Sequence, residues 1–301
     1  MIVLRIDLVF EGGGILGITF VGAYKALIEK KYEVVRCAGT SAGSIVSALI
    51  IAGYRPEELA ELIAITDFKQ FLKKTKLAKT FLVGKLLSLI VHKGIYNSNC
   101  IEKWIYQLLA KKGIKTFRDI MVNDESPLKI IVADVTKRKM LILPDDLKYY
   151  HIKPEDFLIA KAVRMSCTIP YFYTPLKMYN KEEFSYCVDG GLLSTYPIWV
   201  FDIDKKPLRP VIGFKIQDKV SLTSLGKKNI FAYTQDIIDA CINKDEMMYV
   251  RTKALVKTIL INHDNKIKAT DFKLDDKAMK YLSDCGYIAT NNFFNDNHII
   301  F

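Results

Sequence analysis

The sequence predicts an α/β protein with a mainly parallel sheet. Apolar, β-rich runs at Val3–Phe10 and Val34–Ala38 alternate with helical spacing of apolar residues over Ile15–Lys31 and Ser44–Ala52. Strands joined by a helix pair in parallel, and the helices then cover the sheet. Half of the 301 residues are hydrophobic, and no low-complexity linker or internal repeat divides them, so we expect one domain over 1–301.

The rest of the chain continues this alternation. Pro127–Val135 and Lys139–Leu143 predict a hairpin around the turn Thr136-Lys137-Arg138. Beyond it we expect helices over Asp156–Ser166, Ile230–Leu255 and Asp275–Cys285, the last capped by Gly286, and strands over Phe184–Val188, Val211–Ile216 and Thr258–Ile261.

Apolar run lengths and cysteine spacing bear on the compartment. The chain opens in a strand-like run rather than the apolar core of a signal peptide. Its longest apolar runs fall short of the roughly 20 residues that a membrane-spanning helix needs. The six cysteines are scattered without a C-x-x-C pair, as reduced core thiols are. We therefore expect a cytoplasmic protein that can bind peripherally to a membrane.

The net charge of +11 indicates an anionic partner. Zinc-finger spacing, an RNA-binding signature and a basic recognition helix are missing from the sequence, so nucleic acid ranks low. No cluster of His, Cys, Asp and Glu has metal-ligand spacing, and we expect neither a metal nor another cofactor. The oligomeric state is left open.

A basic apolar segment at 68–101 suggests where an anionic partner would bind. It has seven lysines and no acidic residue, and it contains the apolar run FLVGKLLSLIVHKGI at 81–95. Such a segment can lie in a membrane interface with its lysines on anionic headgroups, or cover an acyl-binding pocket as a lid. An ordinary core helix with solvated lysines at its edges remains the alternative.

The first glycine motif follows the first strand as EGGGILG, with glycines at Gly12, Gly13, Gly14 and Gly17. Its spacing matches the phosphate-binding turn of dinucleotide-binding folds. That fold needs an acidic residue at the end of the second strand to hold the ribose, but the nearest, Glu33, precedes the strand. Backbone amides beside a nucleophile would instead form an oxyanion hole, which is the interpretation we favour.

A G-x-S-x-G motif, GTSAG, places Ser41 between the second strand and the second helix. A strand-to-helix turn exposes the serine hydroxyl above the sheet, and Gly39 and Gly43 permit the tight turn. The helix directs its positive end toward a developing negative charge. These features predict a nucleophilic serine, whereas a structural Gly-Ser turn that caps a helix is the alternative.

Asp189, in CVDGG, is the predicted base for Ser41. Asp189 follows a strand, so we expect it at the carboxyl edge of the sheet, with Gly190 and Gly191 allowing a sharp turn. Burial in an apolar site would raise its pKa and make it a better base. The histidines, at positions 92, 151, 263 and 298, lie in no strong motif.

Together, GGGILG, GTSAG and DGG resemble the patatin-like phospholipase family, which carries these motifs in this order. Three longer stretches also resemble the family: AVRMSCTIPYFYTP at 162–175, DGGLLSTYPI, and ATDFKLDDKAMKYLSDCGYIATNNFF. The resemblance implies a three-layer α/β/α fold and hydrolysis of lipid acyl esters, such as phospholipids, by a Ser-Asp dyad without histidine. It assigns the nucleophile to Ser41, the base to Asp189 and the oxyanion hole to the amides of Gly12, Gly13 and Gly14, with Gly17 closing the loop.

One residue departs from the family pattern. Leu16 stands where the family often has Arg or Lys before the last glycine of the loop. Backbone donors do not need that side chain, but a positive neighbour is missing. Two alternatives therefore stay open: an acyltransferase that uses the same serine, and a non-catalytic membrane- or partner-binding protein on the same scaffold.

Overall fold

The computed structural model describes residues 4–80, 82–201, 209–217, 256–264 and 267–297. The helix expected over Ile230–Leu255 lies outside the described residues, as does His298.

Ten strands and seven α-helices occur in the described ranges. The strands are β1 (Leu4–Phe10), β2 (Tyr32–Thr40), β3 (Gly94–Tyr96), β4 (Leu128–Asp134), β5 (Lys139–Leu143), β6 (Tyr171–Tyr173), β7 (Leu176–Asn180), β8 (Glu183–Asp189), β9 (Val211–Gln217) and β10 (Val256–Asn262). The helices are α1 (Thr19–Glu29), α2 (Ala42–Ile51), α3 (Pro56–Ile65), α4 (Leu82–His92), α5 (Asn99–Lys111), α6 (Ile159–Ser166) and α7 (Asp276–Asn297).

One mixed sheet of eight described strands organises the molecule, in the order β10-β9-β1-β2-β4-β8-β7, with β5 also paired to β4. The pairs from β10 to β4 are parallel, and β4/β5, β4/β8 and β7/β8 are antiparallel. Strands β3 and β6 form a separate parallel pair. Helices flank the sheet, so the predicted α/β class with a mainly parallel sheet is confirmed. No helix of the described ranges combines the length and apolar character needed to cross a bilayer.

The central strand β1 supplies side chains to both faces of the sheet. Leu8 and Phe10 join the larger hydrophobic cluster, which includes residues of α1, α2 and α5. Val9, between them in sequence, joins a second cluster with Ala38 of β2 and Ile131 of β4. Because successive side chains of a strand point to opposite faces, both faces are covered by apolar residues.

Strands β2 and β8 meet end to end along one edge of β4. Thr40, the last residue of β2, pairs with Ile131, and Asp189, the last residue of β8, pairs with Val132. Strand β5 pairs with residues 130–134 of β4 and occupies the opposite edge. The chain directions of β2 and β8 are therefore opposed, and their carboxyl ends are adjacent in space.

This arrangement corrects the expected route of Asp189. We expected β8 to reach the carboxyl edge of a parallel sheet, but β8 is antiparallel to β4. The strand comes from the other direction and stops where β2 stops. Asp189 therefore lies beside the carboxyl end of β2 because β8 ends there, not because the two strands run in the same direction.

Two helix boundaries also differ from the expectation. The helix predicted over Ile15–Lys31 begins as a 3₁₀ turn at Gly14–Ile18 and becomes α-helical only at Thr19. The final helix was expected to end at Gly286 but continues to Asn297. Gly286 lies inside α7, where it allows the backbone of α1 to approach closely, so this glycine is a packing residue rather than a cap.

Gly286→Ala tests this close approach. A Cβ at Gly286 would lie 1.8 Å from the Thr19 carbonyl oxygen. Alanine in a helix interior normally stabilises by about 1 kcal/mol relative to glycine. Here we expect the opposite sign, a loss of about 1–3 kcal/mol in the free energy of unfolding, because the two helices must separate. Urea denaturation followed by circular dichroism measures the change.

Ile288→Ala on the same helix is the matched control, since its side chain is 54% exposed. We expect it to change the free energy of unfolding by no more than about 0.5 kcal/mol. A Gly286→Ala protein that is more stable than the wild type would contradict the described packing of α1 on α7.

Candidate active site

Ser41 lies on a strained turn between β2 and α2. Its backbone has φ 52° and ψ −123°, a conformation that side-chain-bearing residues rarely adopt. A Cβ at Gly39 would lie 2.3 Å from the Gly43 carbonyl oxygen, and one at Gly43 would lie 2.3 Å from the Phe10 carbonyl oxygen. Glycine is therefore required at both positions, and the turn is held between β1 and α2.

Hydrogen bonds fix the peptide groups on both sides of Ser41. Its amide donates to Ser166 Oγ at 2.9 Å, and Ser166 Oγ donates to the Ile131 carbonyl oxygen at 2.6 Å. The Ser41 carbonyl oxygen accepts the Ser44 amide at 2.9 Å and the Ser44 hydroxyl at 2.6 Å. All four residues are buried, so water does not compete for these bonds.

The Ser41 side chain lies close enough to the Asp189 carboxylate to lower the pKa of that carboxyl group. The Asp189 amide donates to the Thr168 carbonyl oxygen at 2.8 Å, and its Oδ1 accepts the Gly191 amide at 2.8 Å. A Cβ at Gly190 would lie 2.3 Å from the Ile131 carbonyl oxygen. The turn after β8 thus needs glycine to bring Asp189 this close to Ser41 and β4.

Burial raises the pKa of Asp189 from its ordinary value of 3.8 to about 7. The neighbouring Ser41 hydroxyl and the Gly191 amide stabilise the carboxylate and partly oppose this shift. A carboxylate with a pKa near neutrality is a far stronger base than a solvated aspartate, and it is still largely ionised just above that pH.

The glycine loop lies against Ser41, but its amides are not equivalent. The Gly12 amide donates to the Thr195 carbonyl oxygen at 2.8 Å. Within the described part of the chain, the amides of Gly13 and Gly14 donate to no acceptor. Gly14 has φ 54°, and a Cβ there would lie 2.2 Å from the Ala269 carbonyl oxygen. A Cβ at Gly17 would lie 2.7 Å from the Cβ of Ala42, so the loop packs directly on the start of α2.

An apolar cavity begins at Ser41. Its volume is about 110 Å³, several times the ~10–15 Å³ that one water molecule requires on the same measure. Its lining consists of Ser41, Cys167 and otherwise apolar or glycine residues, among them Ile45, Val46, Leu49, Phe68, Phe71, Trp104, Tyr173 and Phe272. Such a lining suits a hydrocarbon chain whose polar end lies at Ser41.

The thiol of Cys167 lies near the serine but is a poor nucleophile. Burial, and then the charge of Asp189, raise the pKa of Cys167, so the thiol stays protonated at neutral pH. Among the described residues, neither Ser41 nor Asp189 has a histidine partner.

Three residues that hydrogen-bond the backbone of the site were not predicted from the sequence. Ser166 and Thr168 bind the amides of Ser41 and Asp189, and Thr195 occupies the Gly12 amide. All three lie in stretches that resemble the patatin-like family, at 162–175 and after Asp189. The sequence indicated these stretches, but no local pattern indicates which serine or threonine in them contacts a distant backbone group.

Comparison with known proteins identifies the family. A sequence model of patatin-like phospholipase matches residues 8–202, a range that contains Ser41, Asp189 and the glycine loop. The chain belongs to the patatin-like phospholipase family.

Two relatives are similar over different shares of the chain. The chain is 37% identical over 296 residues to uncharacterized protein YqhO of Bacillus subtilis, covering 96% of this chain and 98% of the relative. It is 28% identical over 196 residues to "probable lipid hydrolase 463L" of Invertebrate iridescent virus 6, covering 64% of this chain and 61% of the relative.

Solved structures show the same fold at low sequence identity. VipD from Legionella pneumophila has a TM-score of 0.55 and 14% identity, and the match covers 97% of this chain and 67% of VipD. The type III effector ExoU of Pseudomonas aeruginosa has a TM-score of 0.51 and 13% identity, with 98% of this chain and 53% of ExoU covered. The patatin-like fold is a three-layer α/β/α arrangement, in agreement with the sheet and helices described above.

Metal binding was not expected of this site. In the ranges that the structure describes, no three His, Cys, Asp or Glu side chains are grouped so that they could hold a metal ion.

The burial of Asp189 makes the stability of this patatin-like protein depend on pH. Between about pH 4 and pH 7 the folded protein retains a proton that the unfolded chain loses, so the free energy of unfolding falls as pH rises through this range. The full cost above pH 7 is on the order of 4 kcal/mol. We expect Asp189→Asn to remove this decrease, so the variant exceeds the wild type in stability at pH 8 but not at pH 4.

Urea denaturation of both proteins at these two pH values measures the difference. Asp145→Asn is the control, because this carboxylate is half exposed and pairs with Lys129 at the surface. Parallel stability profiles of the wild type and Asp189→Asn would contradict the raised pKa.

Proposed function

We propose that the protein is a lipid acyl hydrolase that cleaves fatty-acyl esters through a dyad of Ser41 and Asp189. One observation carries the proposal: Ser41, at the end of an apolar cavity, lies beside a buried carboxylate, Asp189, whose pKa is raised to about 7. Membership of the patatin-like phospholipase family and the similarity to a protein named as a lipid hydrolase support it.

The first half-reaction forms an acyl-enzyme. Asp189 accepts the Ser41 proton while Ser41 Oγ attacks the ester carbonyl carbon, and the carbonyl oxygen becomes an oxyanion. When the oxyanion collapses, the bond to the alcohol oxygen breaks, and the alcohol leaves with the proton from Asp189. Asp189 is then ionised again, and the acyl group remains on Ser41.

The second half-reaction transfers the acyl group to water. Asp189 takes a proton from a water molecule, and the hydroxide oxygen attacks the acyl carbon. The Ser41–acyl bond breaks, Ser41 regains the proton, and the fatty acid is released. An acyltransferase would follow the same path with an alcohol or thiol in place of water.

The oxyanion is stabilised by backbone amides. Gly13 and Gly14 are the donors we propose, since the Gly12 amide is engaged by Thr195. The start of α2 beside Ser41 adds the positive end of a helix dipole. Leu16 is buried in the hydrophobic core, so its side chain packs there and supplies no charge to the site.

The substrate follows from the cavity. Apolar side chains surround the space beyond Ser41, which suits the acyl chain of a phospholipid or related lipid. The charged headgroup, which is costly to bury, would stay outside.

Removing either member of the dyad tests the mechanism. We expect Ser41→Ala and Asp189→Asn to lower fatty-acid release from mixed phospholipid vesicles by at least about 10³-fold. The wild-type kcat/KM should rise with pH through an apparent pKa of about 7, because only the ionised Asp189 accepts the serine proton. Titration of released fatty acid measures both.

Ser47→Ala is the matched control for this experiment. Ser47 lies on α2, the helix that follows Ser41, and its hydroxyl has no hydrogen-bond partner among the described residues. Its activity should equal that of the wild type. Full activity of folded Ser41→Ala would refute the dyad, and acyl transfer to an added alcohol at the expense of hydrolysis would favour the acyltransferase.

Val46→Phe tests whether the cavity holds the acyl chain. Val46 is buried and lines the cavity, so a larger side chain fills space that a long chain needs. We expect kcat/KM for long-chain esters to fall about tenfold or more relative to short-chain esters. Val122→Phe, at an exposed site, is the control. An unchanged ratio would mean that acyl chains bind elsewhere.

A further inference from the structure

Helix α4 carries its apolar residues on the side that faces solvent. The exposed fractions are 75% for Val83, 62% for Leu86, 43% for Leu87, 69% for Ile90 and 53% for Val91. Their spacing of three and four residues places them on one face of the helix, which we call the α4 face. Ordinary surface helices bury such a face, so the alternative of a core helix with solvated lysines at its edges does not describe α4.

The buried residues among those of α4 that the structure describes are Gly84 and Ser88. A Cβ at Gly84 would lie 2.3 Å from the Leu77 carbonyl oxygen, so the helix packs closely there. Buried Ser88 donates to the Gly94 carbonyl oxygen at 2.7 Å and bonds the Thr75 hydroxyl at 2.7 Å. These contacts fix the rotation of α4. The α4 face therefore points to solvent because the opposite side of the helix, at Gly84 and Ser88, is packed against the protein.

Exposed lysines precede the α4 face in sequence and lie on α4 itself. The lysine rim consists of Lys73, Lys74, Lys76, Lys79 and Lys85, all of them exposed. None of the five forms an ion pair with a described acidic residue, and the sequence from 68 to 101 contains no acidic residue. The rim thus gives this part of the surface an uncompensated positive charge.

We propose that the α4 face and the lysine rim form a docking surface for an anionic lipid bilayer. A single helix with an apolar stripe and flanking lysines enters the boundary between headgroups and acyl chains, while its lysines bind anionic headgroups. The proposal deepens the proposed function, since it names the surface at which the lipid substrate is met.

The geometry connects this surface to the acyl cavity. The segment that contains α4 leaves and rejoins the core at nearly the same point, which we call the narrow neck. There the Asn97 amide donates to the Lys73 carbonyl oxygen at 2.8 Å, and the Thr75 amide donates to the Ile95 carbonyl oxygen at 2.9 Å. Phe71 precedes the neck and lines the cavity. Tyr173, another lining residue, pairs through β6 with β3 and donates to the Phe71 carbonyl oxygen at 3.2 Å. The base of the segment that carries α4 is therefore in contact with cavity-lining residues.

Vesicle binding of the full chain tests the proposal independently of catalysis. Proteins carrying Ser41→Ala, which keeps the lipids intact, are sedimented with vesicles of phosphatidylcholine alone or mixed with phosphatidylglycerol. We expect binding to the anionic vesicles, and a loss of about tenfold or more in the partition coefficient for Leu86→Gln with Ile90→Gln. Replacing Lys73, Lys74, Lys76 and Lys79 by Gln should cost on the order of 100-fold on anionic vesicles at low salt and little on phosphatidylcholine.

Matched controls show whether the position of the replaced residues matters, and not only their residue type. Val122→Gln with Ile288→Gln removes two equally exposed apolar side chains elsewhere. Replacing the exposed residues Lys139, Lys273, Lys277 and Lys280 by Gln removes the same charge from outside the 68–101 segment. Both should leave binding within about twofold, because screened charges act over a short distance.

The outcomes distinguish failure of docking from failure of the proposed function. With Ser41 intact, the α4 variants should hydrolyse a short, water-soluble ester as the wild type does and lose activity only on vesicles. The docking surface is refuted if the α4 variants bind vesicles as the wild type does, or if the control variants lose binding to the same extent. Either result holds whether or not the protein hydrolyses esters. A wild-type dimer that the same Leu86 and Ile90 changes dissociate would assign the face to a second copy of the chain instead. Vesicle binding without hydrolysis of any ester would refute the dyad and leave the docking surface intact.

Discussion

The site depends on the peptide of Ile131 in the middle of β4. Its carbonyl oxygen accepts the hydroxyl of Ser166, which in turn holds the Ser41 amide. Gly190 is a glycine because a side chain there would collide with the same oxygen. Ile131 also pairs with Thr40 at the end of β2. One backbone group in the core of the sheet therefore sets the position of the serine turn from one side and of the aspartate turn from the other.

This arrangement has a cost in stability that the rest of the fold must offset. Ser41 is held at positive φ. Asp189 is buried, and no positively charged group is among the causes of its pKa shift. The glycines that permit these two features also lack side chains that could stabilise the turns. The larger apolar cluster, which joins residues of β1 and β2 to residues of α1, α2 and α5, offsets this cost. Strain and burial at the site are thus possible because the surrounding sheet is well packed on both faces.

Local sequence patterns predicted most of the strands of the main sheet and the residues at the ends of β2 and β8, Ser41 and Asp189, because turn glycines and apolar runs are local signals. They did not predict the short strands β3, β6 and β7 or the direction of β8. That direction depends on the hairpin between β7 and β8, whose short turn contains Lys181 at φ 56°. A glycine that caps a helix and one that lets two helices touch look alike in sequence, which explains the error at Gly286. The amide of Gly12 is taken by Thr195, a contact between residues far apart in the chain that no spacing rule reveals. Which side of α4 faces solvent is set by Gly84 and Ser88, and only the structure shows what they contact.

The narrow neck between Lys73 and Asn97 has a consequence for how this protein can vary. Because the chain leaves and returns at nearly the same point, the residues between these two positions can change in length or character while the sheet, the serine turn and the aspartate turn keep their places. The residues that determine which surface the protein binds and the residues that break the ester bond then lie on separate parts of the chain and can change independently. The same property makes the segment a natural point of exchange for engineering, in which one hydrolytic core is given different surface segments.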